Sequence, residues 1–162
     1  MILSRQSADK MLRRMSLEIA ERNFGRDAIT IIGIRENGIH IARKIDQYLS
    51  EVFPGSIDCI ELSMNKKTAG EIKLSVDTDL KGRIVLLADD VTNSGRTMLY
   101  AMQPLLQQYP AEIQTLTLVA RTHNMFPVAL DYTGLNVSTR EQEHIVVTVE
   151  DGVITGAQVA CL

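Results

Sequence analysis

The chain has 162 residues, of which 45% are hydrophobic, and its 20 acidic residues outnumber 17 lysines and arginines to give a formal net charge of -3. This length and apolar content suit one compact core, so we expect residues 1–162 to form a single domain. The net charge gives no general basic surface, so we do not expect nonspecific DNA binding, and any nucleic-acid contact would need a local basic patch.

The amino terminus carries no predicted leader. Only Ile2 and Leu3 precede polar residues, which is too few for the apolar part of a signal peptide, and no long uncharged run predicts a membrane span. We therefore expect a cytoplasmic protein with no membrane contact.

The first third of the chain predicts helix, strand and helix in turn. Ser4 or Ser7 can cap a first helix that ends near residues 23–25, where a glycine stops it. The run AITIIGI, residues 28–34, predicts a buried strand. A second helix is predicted over residues 38–49, with isoleucines and a leucine on one face.

Strands and helices continue to alternate in the rest of the chain. Two strands are predicted on either side of a polar loop at about 64–71, and a buried strand, a helix and a third buried strand follow; the ranges are 56–63, 71–76, 83–90, 95–109 and 113–120. An irregular polar excursion fills 121–140, and the last strands, near 145–149 and 153–159, return beside the sheet. This alternation predicts an α/β fold with a mainly parallel sheet flanked by helices.

Two adjacent carboxylates, Asp89 and Asp90, close the buried strand RIVLLADD. In an open α/β sheet, ligands bind beyond the carboxyl ends of the strands, which is where this pair falls. Exposed carboxylates there can accept hydrogen bonds from vicinal hydroxyls or orient metal-bound water.

The turn VTNSGRT then leads into a helix, so backbone N–H groups, two hydroxyls and the helix amino terminus converge. This pattern predicts a phosphate cradle, in which Gly95 lets the backbone approach the anion. A phosphorylated ribose has both an anionic 5'-phosphate and the hydroxyls that the aspartates need. The simpler alternative is a strand end and a helix cap with no ligand. Neither a Walker loop nor G-x-G-x-x-G occurs.

The string VLLADDVTNSGRT resembles the phosphoribosyl pyrophosphate (PRPP) signature of type I phosphoribosyltransferases. SLEIAERN, IIGIRENGIHIA, LVARTHNMFPVALDYTGLNV and EHIVV resemble the PyrR family of pyrimidine operon attenuators and uracil phosphoribosyltransferases. The resemblance covers nearly the whole chain. It implies a small hood over the base at about 120–142 and transfer of phosphoribose from PRPP to uracil, giving UMP and pyrophosphate. Mg2+ would accompany PRPP, with no direct metal ligand from the protein.

The resemblance assigns roles to individual positions. Asp89 and Asp90 match the catalytic acidic pair, which would hold the ribose hydroxyls and stabilise positive charge at the ribose carbon. The 5'-phosphate loop comprises Val91, Thr92, Asn93, Ser94, Gly95, Arg96 and Thr97. The pyrophosphate loop comprises Gly33, Arg35, Glu36, Asn37 and Gly38. Lys66 and Lys67 fall in a mobile loop, and Arg121 and His123 fall in the hood near the base.

Several positions depart from the family pattern. Glu36 and Asn37 stand where threonine and arginine are usual, and a negative charge beside a leaving pyrophosphate is unfavourable. The mobile loop is shorter and lacks an expected arginine and paired aspartates, while Ala120 and Thr122 replace aspartate and glycine. A non-catalytic protein that senses PRPP or a nucleotide therefore stays open as an alternative.

A further alternative is an RNA-binding attenuator of pyrimidine genes, because the resembled family binds messenger RNA. Three arginines of the first helix, Arg13, Arg14 and Arg22, could form a basic face for phosphates. Against this, the RNA-contacting threonine and histidine of the family are replaced by Arg13 and Leu17. The resemblance also implies a homo-oligomer, a dimer or larger.

Overall fold

The computed structural model describes residues 1–65 and 71–161, so Lys66 and Lys67 lie outside the described residues. The helices are α1 (Arg5–Arg22), α2 (Gly38–Leu49) and α3 (Arg96–Leu106). The strands are β1 (Leu3–Ser4), β2 (Ala28–Ile34), β3 (Ser56–Ser63), β4 (Lys73–Leu74), β5 (Ile84–Thr92), β6 (Glu112–Arg121), β7 (Tyr132–Val137), β8 (Glu143–Glu150) and β9 (Val153–Cys161).

Six of these strands form a central sheet in the order β4-β3-β2-β5-β6-β7. All neighbouring pairs are parallel except β3 with the short β4, which is antiparallel. Helices α1 and α2 pack on one face and α3 on the other, each against its own apolar cluster. The predicted α/β fold with a mainly parallel, helix-flanked sheet is confirmed.

The central strands and helices form where the apolar patterns predict them. Strand β2 is buried on both faces from Ile29 to Ile34, as expected for a parallel strand covered by helices. Helix α1 begins at the predicted cap, where the Ser4 hydroxyl accepts from the Ser7 amide at 3.1 Å. The bounds of α2 and β3 are those that the sequence predicts.

A second, three-stranded sheet has the order β1-β9-β8 and is antiparallel. The prediction that the last strands return beside the central sheet is therefore wrong, because they pair with each other and with the amino terminus. The range 121–140, predicted to be irregular, also differs from prediction. Tyr132–Val137 is not irregular but forms β7, which adds a parallel edge strand to the central sheet beside β6.

A buried polar cluster joins α1 to the amino ends of β6 and β7; we call Asn23, Glu112, Gln114 and Tyr132 the amino-end network. The Asn23 amide donates to Gln114 Oε1 at 3.1 Å, and the Tyr132 hydroxyl donates to the same oxygen at 2.7 Å. Burial raises the pKa of Tyr132 to about 12. Hydrogen bonding from Arg26 lowers the pKa of Glu112. These paired groups fix α1 against the sheet at the end opposite Asp89 and Asp90.

Within residues 1–65 and 71–161, no helix is long and apolar enough to cross a membrane.

Candidate functional site

The acidic pair lies at the carboxyl end of β5, in the middle of the central sheet. Asp89 is only 2% exposed, so the expectation of an exposed carboxylate is wrong for this residue, while Asp90 is half-buried. Asp89 Oδ1 accepts from the Asp90 amide at 2.9 Å, and Asp90 Oδ1 accepts from the Val91 amide at 2.8 Å. These local bonds hold both carboxylates in defined orientations.

The turn after β5 leads directly into α3. Gly95 is the N-cap of α3 with φ of 86°, a left-handed conformation that favours glycine. The Ser94 hydroxyl accepts from the Arg96 amide at 3.3 Å, and the Ser94 carbonyl accepts from the Met125 and Phe126 amides at 2.9 and 3.0 Å. These hydrogen bonds hold the turn in one conformation. The amino end of α3 directly follows it, and a helix amino terminus is a favourable place for a phosphate.

A cavity of about 290 Å³ opens in front of this turn. Its walls bring together the acidic pair, the turn, the start of α3, one residue of the loop after β2 and three residues of β8. The lining residues are Asn37, Asp89, Asp90, Val91, Thr92, Asn93, Ser94, Gly95, Arg96, Thr97, Met98, Ile145, Val146 and Val147. The structure thus gathers the predicted acidic pair and the whole predicted phosphate loop in one cavity.

Two glycines flank the loop after β2, since Gly33 lies in β2 and Gly38 begins α2, and their roles differ. A Cβ on Gly33 would lie 2.6 Å from the Ile39 Cα, so this glycine lets α2 pack on β2. A Cβ on Gly38 would lie 2.8 Å from the Ala88 carbonyl oxygen and 3.1 Å from Asp89 Oδ1. Gly38 therefore allows the start of α2 to contact the acidic end of β5.

The side chains of this loop line a second cleft, of about 680 Å³, which meets the first at Asn37 and Asp90. Its other walls come from the end of β3 and the residues around the polar loop: Arg35, Glu36, Ser63, Met64, Asn65 and Glu71. Arg35 is exposed, and its Nε lies 3.7 Å from Glu61 Oε1. The described lining is rich in carboxylates, with one arginine that already has an acidic neighbour.

Asn37 connects the two clefts; the sequence predicted it as part of the pyrophosphate loop, at a position that departs from the family pattern. Its amide nitrogen donates to Asp90 Oδ2 at 3.1 Å and to the Val147 carbonyl at 3.3 Å. Sequence reasoning also missed Ile145, Val146 and Val147 as wall residues, because no local pattern shows that β8 passes over the end of β5.

The predicted base-side residues stand apart from the first cavity. Arg121 ends β6, and its Nη2 donates to the Arg140 carbonyl at 3.2 Å, while His123 is exposed. Neither is among the described residues that line the cavity. Thr92, in contrast, lines the cavity and has a buried hydroxyl for which the described residues offer no hydrogen-bond partner.

No group of three or more histidine, cysteine, aspartate or glutamate side chains in the described ranges could hold a metal ion by itself. The oxygens of Asp89 and Asp90 are nevertheless hard ligands of the kind that Mg2+ accepts, commonly together with water and substrate phosphates. The donor set therefore fits a metal ion that arrives with an anionic ligand.

A strand that ends in two carboxylates beside a phosphate-binding turn indicates a protein that handles phosphorylated ribose. The family described as the phosphoribosyl transferase domain matches residues 1–153, and the chain belongs to this family. Among curated relatives, it is 32% identical over 155 residues to the bifunctional protein PyrR of Lactococcus lactis subsp. cremoris, covering 93% of this chain and 90% of that protein. It is 33% identical over 162 residues to the bifunctional protein PyrR of Pediococcus pentosaceus, covering 93% and 92%. The predicted resemblance to PyrR is confirmed.

Solved structures share the fold at lower identity. The hypoxanthine phosphoribosyltransferase of Trypanosoma cruzi superposes with a TM-score of 0.79 at 13% identity, over 96% of this chain and 94% of that one. A hypoxanthine-guanine phosphoribosyltransferase of Bacillus anthracis gives 0.75 at 17% identity, over 97% and 96%. At such identities the likeness concerns the fold alone.

Proposed function

We propose that this protein transfers 5-phosphoribose from PRPP to a free base, uracil, and releases pyrophosphate. The observation that carries the proposal is the single cavity that holds the acidic pair and the glycine turn at the amino end of α3. A 5'-phosphate fits the turn, and the ribose hydroxyls fit Asp89 and Asp90. The adjoining cleft, which meets the cavity at Asp90, offers room for the pyrophosphate.

The chemistry follows from this placement. The bond from the ribose C1 carbon to the pyrophosphate oxygen breaks, a bond from C1 to a uracil nitrogen forms, and that nitrogen loses its proton. Positive charge develops on the sugar as pyrophosphate leaves, so oriented carboxylates beside the ribose stabilise the transition state more than the ground state. The local bonds from the Asp90 and Val91 amides keep these carboxylates oriented before the reaction.

Mg2+ is the proposed companion of PRPP. Asp89 and Asp90 would hold it through water, together with oxygens of the substrate. When bound, the ion neutralises the charge of the pyrophosphate and makes it a better leaving group.

Uracil is the proposed base because the relatives at 32% identity include pyrimidine operon regulatory proteins of Lactococcus lactis. Val146 and Val147 of β8 provide an apolar wall on which a flat base could lie. The buried Thr92 hydroxyl offers a polar group at the same cavity.

A non-catalytic nucleotide or PRPP sensor is the second candidate, and Glu36 favours it. This exposed carboxylate lines the cleft proposed for pyrophosphate, where a negative charge opposes an anionic leaving group. The first cavity, with carboxylates proposed for the ribose and a turn that carries Arg96 and no acidic side chain, would serve a nucleoside monophosphate without any reaction.

An RNA-binding regulator has less support from the structure. Arg13 lies 3.5 Å from Asp9, Arg14 lies 2.6 Å from Glu18, and Arg22 contacts both Glu112 and Asp131. The arginines predicted to form a basic face are therefore all engaged by carboxylates. An electrophoretic shift with pyrimidine leader RNA that depends on UMP and weakens with salt would reverse this ranking.

The proposal is tested by measuring the release of pyrophosphate from PRPP, in the presence of magnesium, with each of a panel of free bases. Release that depends on a base and is fastest with uracil is expected. Tight binding of PRPP or UMP by calorimetry without release would overturn the transferase and favour the sensor. The family resemblance also leads us to propose a homo-oligomer, which sedimentation would test.

A further inference from the structure

We propose that Asn37 is a positioning residue that fixes Asp90 for the ribose hydroxyls and ties β8 to the site. The inference deepens the proposed function and rests on it, because it concerns the same sugar-phosphate cavity. Asn37 lies where the two clefts meet, beside the point at which the sugar would join the pyrophosphate.

The argument begins with the chemistry of the amide. Both partners of Asn37, the Asp90 carboxylate and the Val147 carbonyl, can only accept hydrogen bonds. A primary amide nitrogen carries two N–H groups, so it can serve both acceptors at once. An aspartate of the same shape would place acceptors against acceptors. The pairing therefore depends on the amide rather than on size or polarity.

The backbone position of Asn37 supports this role. Asn37 is the N-cap of α2, and asparagine side chains at N-caps commonly accept a hydrogen bond from the next turn. Here the side chain makes no capping bond within the described part of the chain, although the Asn37 carbonyl accepts from the His40 amide at 3.0 Å. The side chain is directed across to β5 and β8 instead of to its own helix.

The consequence for Asp90 is that both of its oxygens have defined partners. Oδ1 accepts from the Val91 amide at 2.8 Å and Oδ2 accepts from Asn37 at 3.1 Å. A carboxylate held at both oxygens is oriented before the ligand arrives, and each oxygen keeps a lone pair for a ribose hydroxyl. Because Asn37 also holds the Val147 carbonyl, the same amide sets where β8 covers the cavity.

The test is a double-mutant cycle on the binding of ribose 5-phosphate, followed by phosphorus NMR titration. This probe needs only the phosphate turn and the acidic pair, so it requires neither turnover nor a known base. The four proteins are the natural chain, Asn37→Ala, Asp90→Ala and the double variant. Asn136→Ala, which changes an exposed asparagine on β7, is the matched control.

We expect Asn37→Ala to weaken binding about fivefold, because a hydrogen bond to a charged group is lost. Asn37→Asp should weaken it about tenfold or more, because its carboxylate would repel that of Asp90. In the Asp90→Ala background, Asn37→Ala should change affinity by less than about twofold, since its partner is gone. Asn136→Ala should bind like the natural chain. Should Asn37→Ala not fold, Asn37→Ser replaces it, because serine still caps a helix but its one hydroxyl cannot serve two acceptors.

Equal losses from Asn37→Ala in both backgrounds, or no loss in the natural background, would overturn the positioning role and leave the proposed function intact. Failure of the natural chain to bind ribose 5-phosphate would overturn the sugar-phosphate site itself, and the inference with it.

Discussion

Two neighbouring strands, β2 and β5, end at the same edge of the sheet and lead into helices through loops of very different content. The loop after β5 has hydroxyls, backbone N–H groups and no acidic side chain between Val91 and Thr97. The loop after β2 carries Glu36, and its Asn37 amide is bound to protein acceptors. Equal positions in a fold therefore do not imply equal chemistry, since the loop after β5 lacks acidic side chains while the loop after β2 supplies an amide that holds Asp90.

The largest expected effect comes from the carboxylate that both loops contact. Asp90→Asn should lower base-dependent pyrophosphate release about a hundredfold, because charge stabilisation at the ribose is lost. The melting temperature should change little, since Asp90 is a half-buried strand end. Asp77→Asn, which alters an exposed aspartate elsewhere, is the control. An Asp90→Asn chain that unfolds would show a structural role instead.

Gly38→Ala should break the contact between the start of α2 and the end of β5. The new Cβ would lie 2.8 Å from the Ala88 carbonyl oxygen, which is backbone and cannot move aside cheaply. We expect a loss of about 2 kcal/mol in the free energy of unfolding, measured by urea titration. Unchanged stability would show that the two strand ends can separate.

Gly95→Ala should act for a different reason, because the nearest atom to its Cβ lies 3.4 Å away but its φ is 86°. The expected cost is about 1 kcal/mol of stability, together with weaker phosphate binding in calorimetry. Gly95→Asn should lose less of both, since asparagine tolerates the left-handed conformation. If alanine and asparagine behave alike, the conformation is not what requires glycine.

The amino-end network provides a reference far from both loops. The pKa of Tyr132 is raised from 10.0 to about 12, so the folded chain holds this proton more tightly than the unfolded chain. Its contribution to stability is complete below pH 10 and declines between pH 10 and 12. In urea titrations across this window, the free energy of unfolding of Tyr132→Phe should fall by about 1 kcal/mol less than that of the natural chain. Binding of ribose 5-phosphate at pH 7 should be unaffected. A variant with the same alkaline decline would contradict the assignment.

The smallest expected effect concerns the charge of the loop after β2. Glu36→Gln should raise PRPP affinity about threefold at low salt, because an exposed carboxylate no longer repels the pyrophosphate. The gain should shrink at high salt. Glu141→Gln, at another exposed glutamate, should have no such effect. Equal gains from both variants would mean that the repulsion is general rather than local to the cleft.

The sequence predicted the elements whose signals are local. Residues 38–49 and 56–63 form the expected helix and strand, because apolar spacing and turn residues define each by itself. Strand β7 was missed because YTGLNV contains glycine and asparagine, and its burial comes from pairing with β6. The second sheet was missed because the pairing of β9 with β1 joins the two ends of the chain.

The same distinction holds at the site. The acidic pair and the turn after β5 are contiguous, so one string of residues predicted the cavity that they line. The partners of Asn37 are Asp90 and Val147, which are 53 and 110 positions away in the sequence. No local sequence pattern predicts contacts between residues so far apart. Where Arg121 and His123 lie relative to the base likewise depends on tertiary structure.

Arg14 has a consequence for how copies of this chain can meet. Strand β7 is an edge of the central sheet, and edge strands present backbone groups with which another chain can pair. The Arg14 guanidinium donates to the carbonyls of Thr133 and Gly134 at 3.1 and 2.9 Å. A foreign strand would have to displace a charged group to extend the sheet there. These two hydrogen bonds therefore make pairing of β7 with a strand of another molecule less favourable.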